Sequence, residues 1–414
     1  MWAKKTVRKM LWWMMMGERF KLYTRPGPGP KPGSKLRIAV CYLIPNLGDT
    51  VMVFPLIDAI RKENPEAEIT CFSYGNGGGV LGLHPAVNHH YNLTLTKGWR
   101  QKFHPANVIY DIWSWRRRDF RDLQFDVCVM PRGGADPFYS AHLAWLIGGR
   151  ERVGYSSIVE PERMEGDLHA APLLTKRIER IDTVHEVSRG AEVLMLAGLI
   201  KEQVDLDQPV SSLLEIAHGS EGQNFVAGLP ELRAPYAIVA PGASISRRQW
   251  PSDRFTELAE REILSRGWLP VFVGGPEMAA TCTDICGKLS GPSLNLAGRT
   301  NFQQLAAVSA GAECFIGNDS GTAHVAGGCG VPTLIVTAFA KMGLNTHHSS
   351  PDRSRPVGPY FAVVQPLEQL PPCVEECLAE EPQCILQVKV EEMQAAFNEL
   401  LERSSKRKDI EQHA

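Results

Sequence analysis

A chain of 414 residues, 44% hydrophobic and 22% charged, is too long for one ordinary core and too apolar to stay disordered, so two globular domains are expected. Its 44 Lys and Arg against 46 Asp and Glu leave a formal charge of −2, which gives no reason to expect nucleic acid as a general partner, since duplex binding rests on clustered basicity. Ten cysteines dispersed over such a length do not read as a disulfide scaffold, and Cys41, Cys71, Cys128 and Cys314, inside apolar runs, are expected to be buried thiols.

The chain opens on a basic arm: residues 1–37 hold ten Lys or Arg against Glu18. Within it MLWWMMM, at 10–16, falls far short of the ~20 apolar residues of a spanning helix. The GERFK that follows offers no small-residue cleavage site. The arm is therefore read as an uncleaved segment lying on an anionic membrane surface, with docking on the protein itself as the alternative. PGPGPKPG, at 26–33, reads as a stiff linker.

RIAVCYLI at 37–44 is a continuous apolar run, the pattern of a buried parallel strand. PNLGD and a helix-like segment to Asn64 follow, interrupted at Pro55 and stopped by Pro65, which makes the opening of a βαβ unit. Further strands are expected at 68–74 and 125–131, with helices near 138–147 and 185–199. A join rich in Gly, Ser and Pro lies at 217–235. A second series has strands at 236–240, 269–275, 314–317 and 332–336 and helices at 253–266, 277–289 and 302–311. Two such series predict an α/β protein of two doubly wound domains. A last helix, at 390–403, is expected to pack back across the first domain.

In open α/β sheets ligands bind beyond the carboxyl ends of the strands, so the turns there carry the chemistry. In the first, Asn46-Leu47-Gly48-Asp49, Asp49 lands at a helix start, where backbone N–H groups favour a carboxylate; a helix cap and a catalytic group are both compatible with that place. The second, PGASISRRQWP at 241–251, pairs a small-residue loop with Arg247 and Arg248, suited to a phosphate or simply to solvent. The third, GNDSGTAHVA at 317–326, runs from strand to helix and presents free N–H groups for a diphosphate. Neither of the last two is a Walker A or a GxGxxG fingerprint. Asp205-Leu206-Asp207 has the form of a metal-binding DxD but follows no strand, and it is read as accidental. His347 and His348 are read as a solvated loop whose neighbouring side chains point apart. Cys373-x3-Cys377-x6-Cys384 leaves buried thiols, a disulfide or a metal site open.

Taken together, IAVCYLIPNLGDTVMVFPLIDAIRKENP, APGASISRRQWPSDRF, VFVGGPE and LAGRTNFQQLAAVSAGAECFIGNDSGTAHVAGGCGVP resemble the heptosyltransferase family, glycosyltransferase family 9, over residues 36–403. DSGTAH is the most specific element. The resemblance implies the GT-B fold, two Rossmann-like domains facing across a cleft, with an acceptor-binding domain at 36–216, a hinge at 217–235 and a donor-binding domain at 236–388. The arm and linker occupy 1–35, and the C-terminal helix and tail 389–414. By matching position, Asp49 would be the catalytic base. Arg248, where the family usually has Lys, would neutralise the leaving diphosphate, and Glu277 would hold the donor ribose. Ser320, Gly321 and Thr322 would bind the diphosphate through N–H groups, with Asp319 and His324 fixing that turn. The resemblance further implies an inverting transfer of heptose or a related sugar, from a nucleotide diphosphate donor such as ADP-heptose, to lipopolysaccharide core or another surface glycan. No metal and no cofactor is expected, because Arg and the helix dipole stabilise the leaving group. The expected location is the inner face of the cytoplasmic membrane. VTAFAK at 336–341 departs from the family's usual turn, which bears on the donor sugar. A sugar-nucleotide epimerase and a non-catalytic sugar-nucleotide or glycan binder are the competing readings.

Overall fold

The computed structural model describes residues 35–94, 111, 114, 120, 123–133, 140–156, 159, 171–373 and 377–412. The basic arm and linker up to residue 34, and the start of the helix expected at 138–147, lie outside the described residues. The chain divides into two compact units at Val204/Asp205, upstream of the 217–235 stretch read as a join. Among the described residues no helix is long and apolar enough to cross a membrane.

Each unit carries a parallel six-stranded sheet. The first contains β1 (Arg37–Tyr42), β2 (Glu68–Tyr74), β3 (His89–Leu93), β4 (Phe125–Met130), β5 (Gly149–Tyr155) and β6 (Lys176–Ile178), in the order β3-β2-β1-β4-β5-β6. The second contains β7 (Tyr236–Ala240), β8 (Leu269–Phe272), β9 (Leu294–Asn295), β10 (Cys314–Asn318), β11 (Thr333–Val336) and β12 (Phe361–Val364), in the order β12-β11-β10-β7-β8-β9. The two orders are the same doubly wound pattern. In each sheet the first strand is central, the next two extend to one side and the last three to the other, so the winding reverses between β1 and β4 and between β7 and β10. Helices on both faces bury the β1 run from Ile38 onward and the whole of β7, which is why these strands read as continuous apolar runs. The strands that sequence patterning did not single out are β5, whose GRERVGY is half polar, and the short or polar β3, β6, β9 and β12. Of these, β3, β6, β9 and β12 are the sheet edges.

Among the described residues, the α-helices of five residues or more are α1 (Leu47–Val51), α2 (Phe54–Glu63), α3 (Ser140–Leu146), α4 (Glu186–Leu196), α5 (Ser211–Ala217), α6 (Ser220–Ala227), α7 (Ser252–Leu258), α8 (Ala279–Lys288), α9 (Phe302–Ala310), α10 (Gly321–Gly328) and α11 (Val390–Gln412). The break expected at Pro55 falls instead at Met52–Val53. Pro55 lies in the first turn of α2, where its missing N–H costs no helical bond. The 253–266 helix is not uniform: α7 continues into a wide turn, Ala259–Ile263, and a tight one, Leu264–Arg266, and stops at Gly267, whose φ of +71° suits a residue without Cβ. The stretch read as a join carries α6, which packs with α5 on α9. A Cβ on Gly222 would stand 2.6 Å from that of Ala307, so at this position the small residue serves close helix packing.

The C-terminal helix requires a correction. It was expected on the first domain, but Met393, Phe397 and Leu400 of α11 are buried in the core of the second unit with Trp250, Phe255, Leu334 and Val336. Their spacing of four and three residues forms one apolar stripe, and α11 packs it against β11, β12 and α7.

Candidate active site

In the first unit, β1 ends at Tyr42 and the chain passes through Pro45 and Asn46 into α1. Asn46 occupies the cap position without a side-chain cap bond, and Asp49 sits three residues on, in the first turn of the helix. Asp49 is therefore not the cap, and side chains hold its carboxylate: Arg132 Nη1 donates to Oδ1 at 3.0 Å and Asn46 Nδ2 donates to Oδ2 at 3.1 Å. The sequence reading assigned that task to backbone N–H groups. Each oxygen keeps a second lone pair, so the group remains able to accept a proton. The side chains of Asp49 and Arg132 are 25% and 24% exposed, so the carboxylate is partly open to solvent.

Arg132 enters from the turn after β4, across the reversal of winding from the turn after β1. Sequence patterning missed it, although it stands just past a predicted strand end. Its Nη1 also lies 3.4 Å from Tyr42 Oη, and the next residue, Gly133, donates its N–H to buried Glu186 Oε1 at 2.7 Å. Burial pushes the Tyr42 phenol up, which keeps it neutral. Burial would pull the Arg132 guanidinium down, but its surroundings, among them the Asp49 and Glu186 carboxylates and the bond to Asp49, outweigh it; the net displacement is upward and Arg132 stays charged.

In the second unit, the turns after β7 and β10 flank the corresponding reversal. Asn318, fully buried at the end of β10, ties them together: its Nδ2 donates to Pro241 O at 2.6 Å and its Oδ1 accepts from Trp250 N at 2.9 Å. Both ends of the 241–250 loop are thus pinned to one residue. Trp250 is itself anchored through Nε1 to Val388 O at 2.9 Å. Gln249 Nε2 closes the loop on Ala243 O at 2.9 Å. Sequence reading did not single out Asn318, whose side chain acts only on neighbours distant in the chain.

A cavity of about 60 Å³ opens here, lined among others by Ser244, Arg248, Asp319, Thr337, Phe339, His347 and Ser349. Arg248 Nη1 reaches Ser349 Oγ at 3.5 Å. Ser320 occupies the cap position of α10 in extended backbone with no side-chain cap bond, its Oγ 2.9 Å from Thr322 Oγ1. The first N–H groups of a helix have no partner within it, so the start of α10, at Gly321 and Thr322, favours an anion. His324 is buried within α10. The structure thus brings Arg248 and Asp319 to one cavity, with Ser320 to His324 directly following. Glu277 lies in an exposed turn after β8, at the same end of the sheet but outside the cavity lining.

The His347 and His348 reading is corrected. Their rings do not point apart: the centroids are 4.1 Å from each other, and His347 stacks on Phe339 at 5.2 Å. Asp205 Oδ1 accepts from Asp207 N at 2.9 Å and Asp207 pairs with Arg355 at 3.1 Å, so the DxD triplet is engaged in a local turn and an ion pair. Among the described residues no group of three or more His, Cys, Asp or Glu side chains is arranged to hold a metal ion.

The comparisons with known proteins bear on the fold and the family. The sequence model of glycosyltransferase family 9 (heptosyltransferase) matches residues 117–380. The chain is 24% identical over 298 residues to lipopolysaccharide heptosyltransferase 3 of Escherichia coli, covering 69% of this chain and 79% of that protein. Among solved structures, it is similar to a family 9 glycosyl transferase from Veillonella parvula, with a TM-score of 0.65 and 20% identity over 91% of this chain and 100% of that one. It is also similar to the ADP-heptose lipopolysaccharide heptosyltransferase II of Escherichia coli, with a TM-score of 0.61 and 19% identity over 89% and 100% of the two chains. Two doubly wound units, an anion-suited loop pair and a family match over well more than half of the sequence lead to one conclusion: this chain is a glycosyltransferase and belongs to glycosyltransferase family 9, the heptosyltransferase family.

Proposed function

We propose that the protein transfers heptose, or a closely related sugar, from ADP-heptose to the lipopolysaccharide core or another cell-surface glycan, with inversion and without a divalent metal. The observation that carries this reading is the contrast between the two reversals of winding. One holds a carboxylate, Asp49, and the other a guanidinium, Arg248, beside a helix start. In this reading the acceptor hydroxyl oxygen attacks the anomeric carbon, the bond from that carbon to the donor's phosphate oxygen breaks, and the hydroxyl proton passes to Asp49. The departing ADP carries away the electron pair, its charge met by Arg248 and by the N–H groups of Ser320 to Thr322, with Asp319 and His324 supporting that turn and Glu277 on the ribose. Any carboxylate is a weak base toward a sugar hydroxyl, and the transfer becomes favourable only as the attacking oxygen acidifies. ADP as the nucleotide draws support from the solved relative, described as an ADP-heptose enzyme.

The basic arm supports action at the inner, cytoplasmic face of the membrane, where each Lys or Arg near an anionic surface contributes ~1 kcal/mol. The test is acceptor-dependent release of ADP from ADP-heptose, with GDP- and UDP-sugars as competitors and EDTA in a parallel series. Release only with acceptor supports transfer. Release without acceptor, or activity lost with EDTA and restored by metal, sinks the corresponding part of the reading.

A further inference from the structure

Three thiols lie against the Arg248 cavity. Cys373, Cys377 and Cys384 all line it, and Cys373 and Cys384 pack with Ala379 into one small cluster. Leu378 N donates to Cys373 Sγ at 3.3 Å, Gln383 Nε2 reaches the same sulfur at 3.5 Å, and Leu370 N donates to Cys384 Sγ at 3.3 Å. Leu370 O accepts both from Cys373 N at 2.9 Å and from the side-chain Nε2 of Gln383, the residue before Cys384, at 2.9 Å. Burial pushes the Cys373 thiol up, but donors from Ala379, Leu378, Gln383 and Cys384 outweigh it and bring it below the usual thiol value. Burial pushes the thiols of Cys71, Cys128, Cys282, Cys314 and Cys329 up, which makes them poor nucleophiles.

We propose that Cys373 and Cys384 are a peroxide-sensitive pair in the wall of the Arg248 cavity, Cys373 attacking and Cys384 resolving, and that the disulfide they form weakens nucleotide binding there. The Cys373 thiolate attacks one oxygen of a hydroperoxide, the O–O bond breaks, and Cys373 becomes the sulfenic acid while hydroxide leaves. Cys384 then attacks that sulfur, the S–O bond breaks, and water departs with the thiol proton. Two thiols are oxidised by two electrons and, with hydrogen peroxide as oxidant, one peroxide is reduced to two waters. The cluster is tied to the anion loop: Arg247 Nη2 donates to Cys377 O at 3.0 Å, and Arg247 adjoins Arg248. Cys377 is four positions from Cys373, so a disulfide at Cys373 forms close in sequence to this bond. The effect on binding rests on the reading of the cavity as the diphosphate site; the disulfide itself does not.

The test is to treat the full-length reduced protein with a small excess of hydrogen peroxide, alkylate, digest and map disulfides by mass spectrometry, and to measure ADP binding before and after. The expected result is a Cys373–Cys384 disulfide, a loss of ~10-fold in ADP affinity, and recovery of both with dithiothreitol. C384S should stop at a Cys373 sulfenic acid that dimedone traps. Oxidation confined to other cysteines, or stoichiometric metal on the purified protein that a chelator removes from the three sulfurs, overturns the pair. A disulfide with unchanged ADP affinity overturns the effect on binding. If the reduced protein binds no ADP, the diphosphate reading fails, while the disulfide map still decides the pair.

Discussion

The guanidinium of Arg132 meets the carboxylate of Asp49 at 3.0 Å across the reversal of winding in the first sheet, joining residues 83 positions apart. Asn46 holds the other carboxylate oxygen, so the plane of the group is set by two donors from two different turns.

The base assignment predicts that Asp49→Asn, which keeps shape but cannot take a proton, lowers kcat by at least ~100-fold with donor affinity unchanged. Because the ion pair lost is partly exposed, the cost in stability should be only ~0.2–1 kcal/mol. Turnover and melting temperature measured together decide this, and an active Asn variant removes Asp49 from the chemistry.

Arg132 orients that carboxylate, and a misplacement of an ångström is enough to cost ~100-fold. Arg132→Met should therefore reduce kcat by ~10–100-fold without weakening ADP binding, and Arg132→Lys should recover part of the loss. Equal KM and kcat in all three proteins would leave Arg132 with a purely structural part.

Arg248→Ala should weaken nucleotide binding by ~1.5–3 kcal/mol, the worth of a hydrogen bond to a charged group. Calorimetry with ADP measures this directly. Unchanged affinity places the diphosphate elsewhere.

Asn318→Ala leaves Trp250 N and Pro241 O without their buried partner, at ~1–3 kcal/mol for each group. Asn318→Asp keeps the acceptor for Trp250 but opposes a carboxylate to the Pro241 carbonyl, so it should not rescue. Urea unfolding of the two variants, alongside ADP affinity, checks that the loop loses both stability and binding.

His90 gives a pH dependence of stability. Burial holds its imidazole below the ordinary value of 6.5, and Nε2 lies 2.7 Å from Ser73 Oγ. The unfolded chain thus takes up a proton at higher pH than the folded one. The contribution is complete above about 6.5 and is lost as pH falls through that value toward the lower folded one. His90→Gln should flatten the decline in melting temperature over this window; an unchanged slope would assign the decline to other groups.

The family motifs were legible because each lies within a short run: the apolar strand, the Gly-Asp turn, the Arg pair and DSGTAH all sit in contiguous sequence. Core strands buried on both faces announce themselves as apolar runs, whereas edge strands such as HHYNL and KRI do not, since a partner on one side suffices to pair them.

By itself, the sequence determined that two βαβ series are present and which strand ends carry candidate chemistry, because local burial and turn preferences are written residue by residue. Only the tertiary structure decided that Arg132 belongs to Asp49, that Asn318 pins the 241–250 loop, that Cys373 and Cys384 share one wall, and that α11 packs on the second unit. Each of these depends on which segments the strand order brings side by side, and a hydrogen bond or an apolar contact acts only over a few ångströms, whatever the separation along the chain.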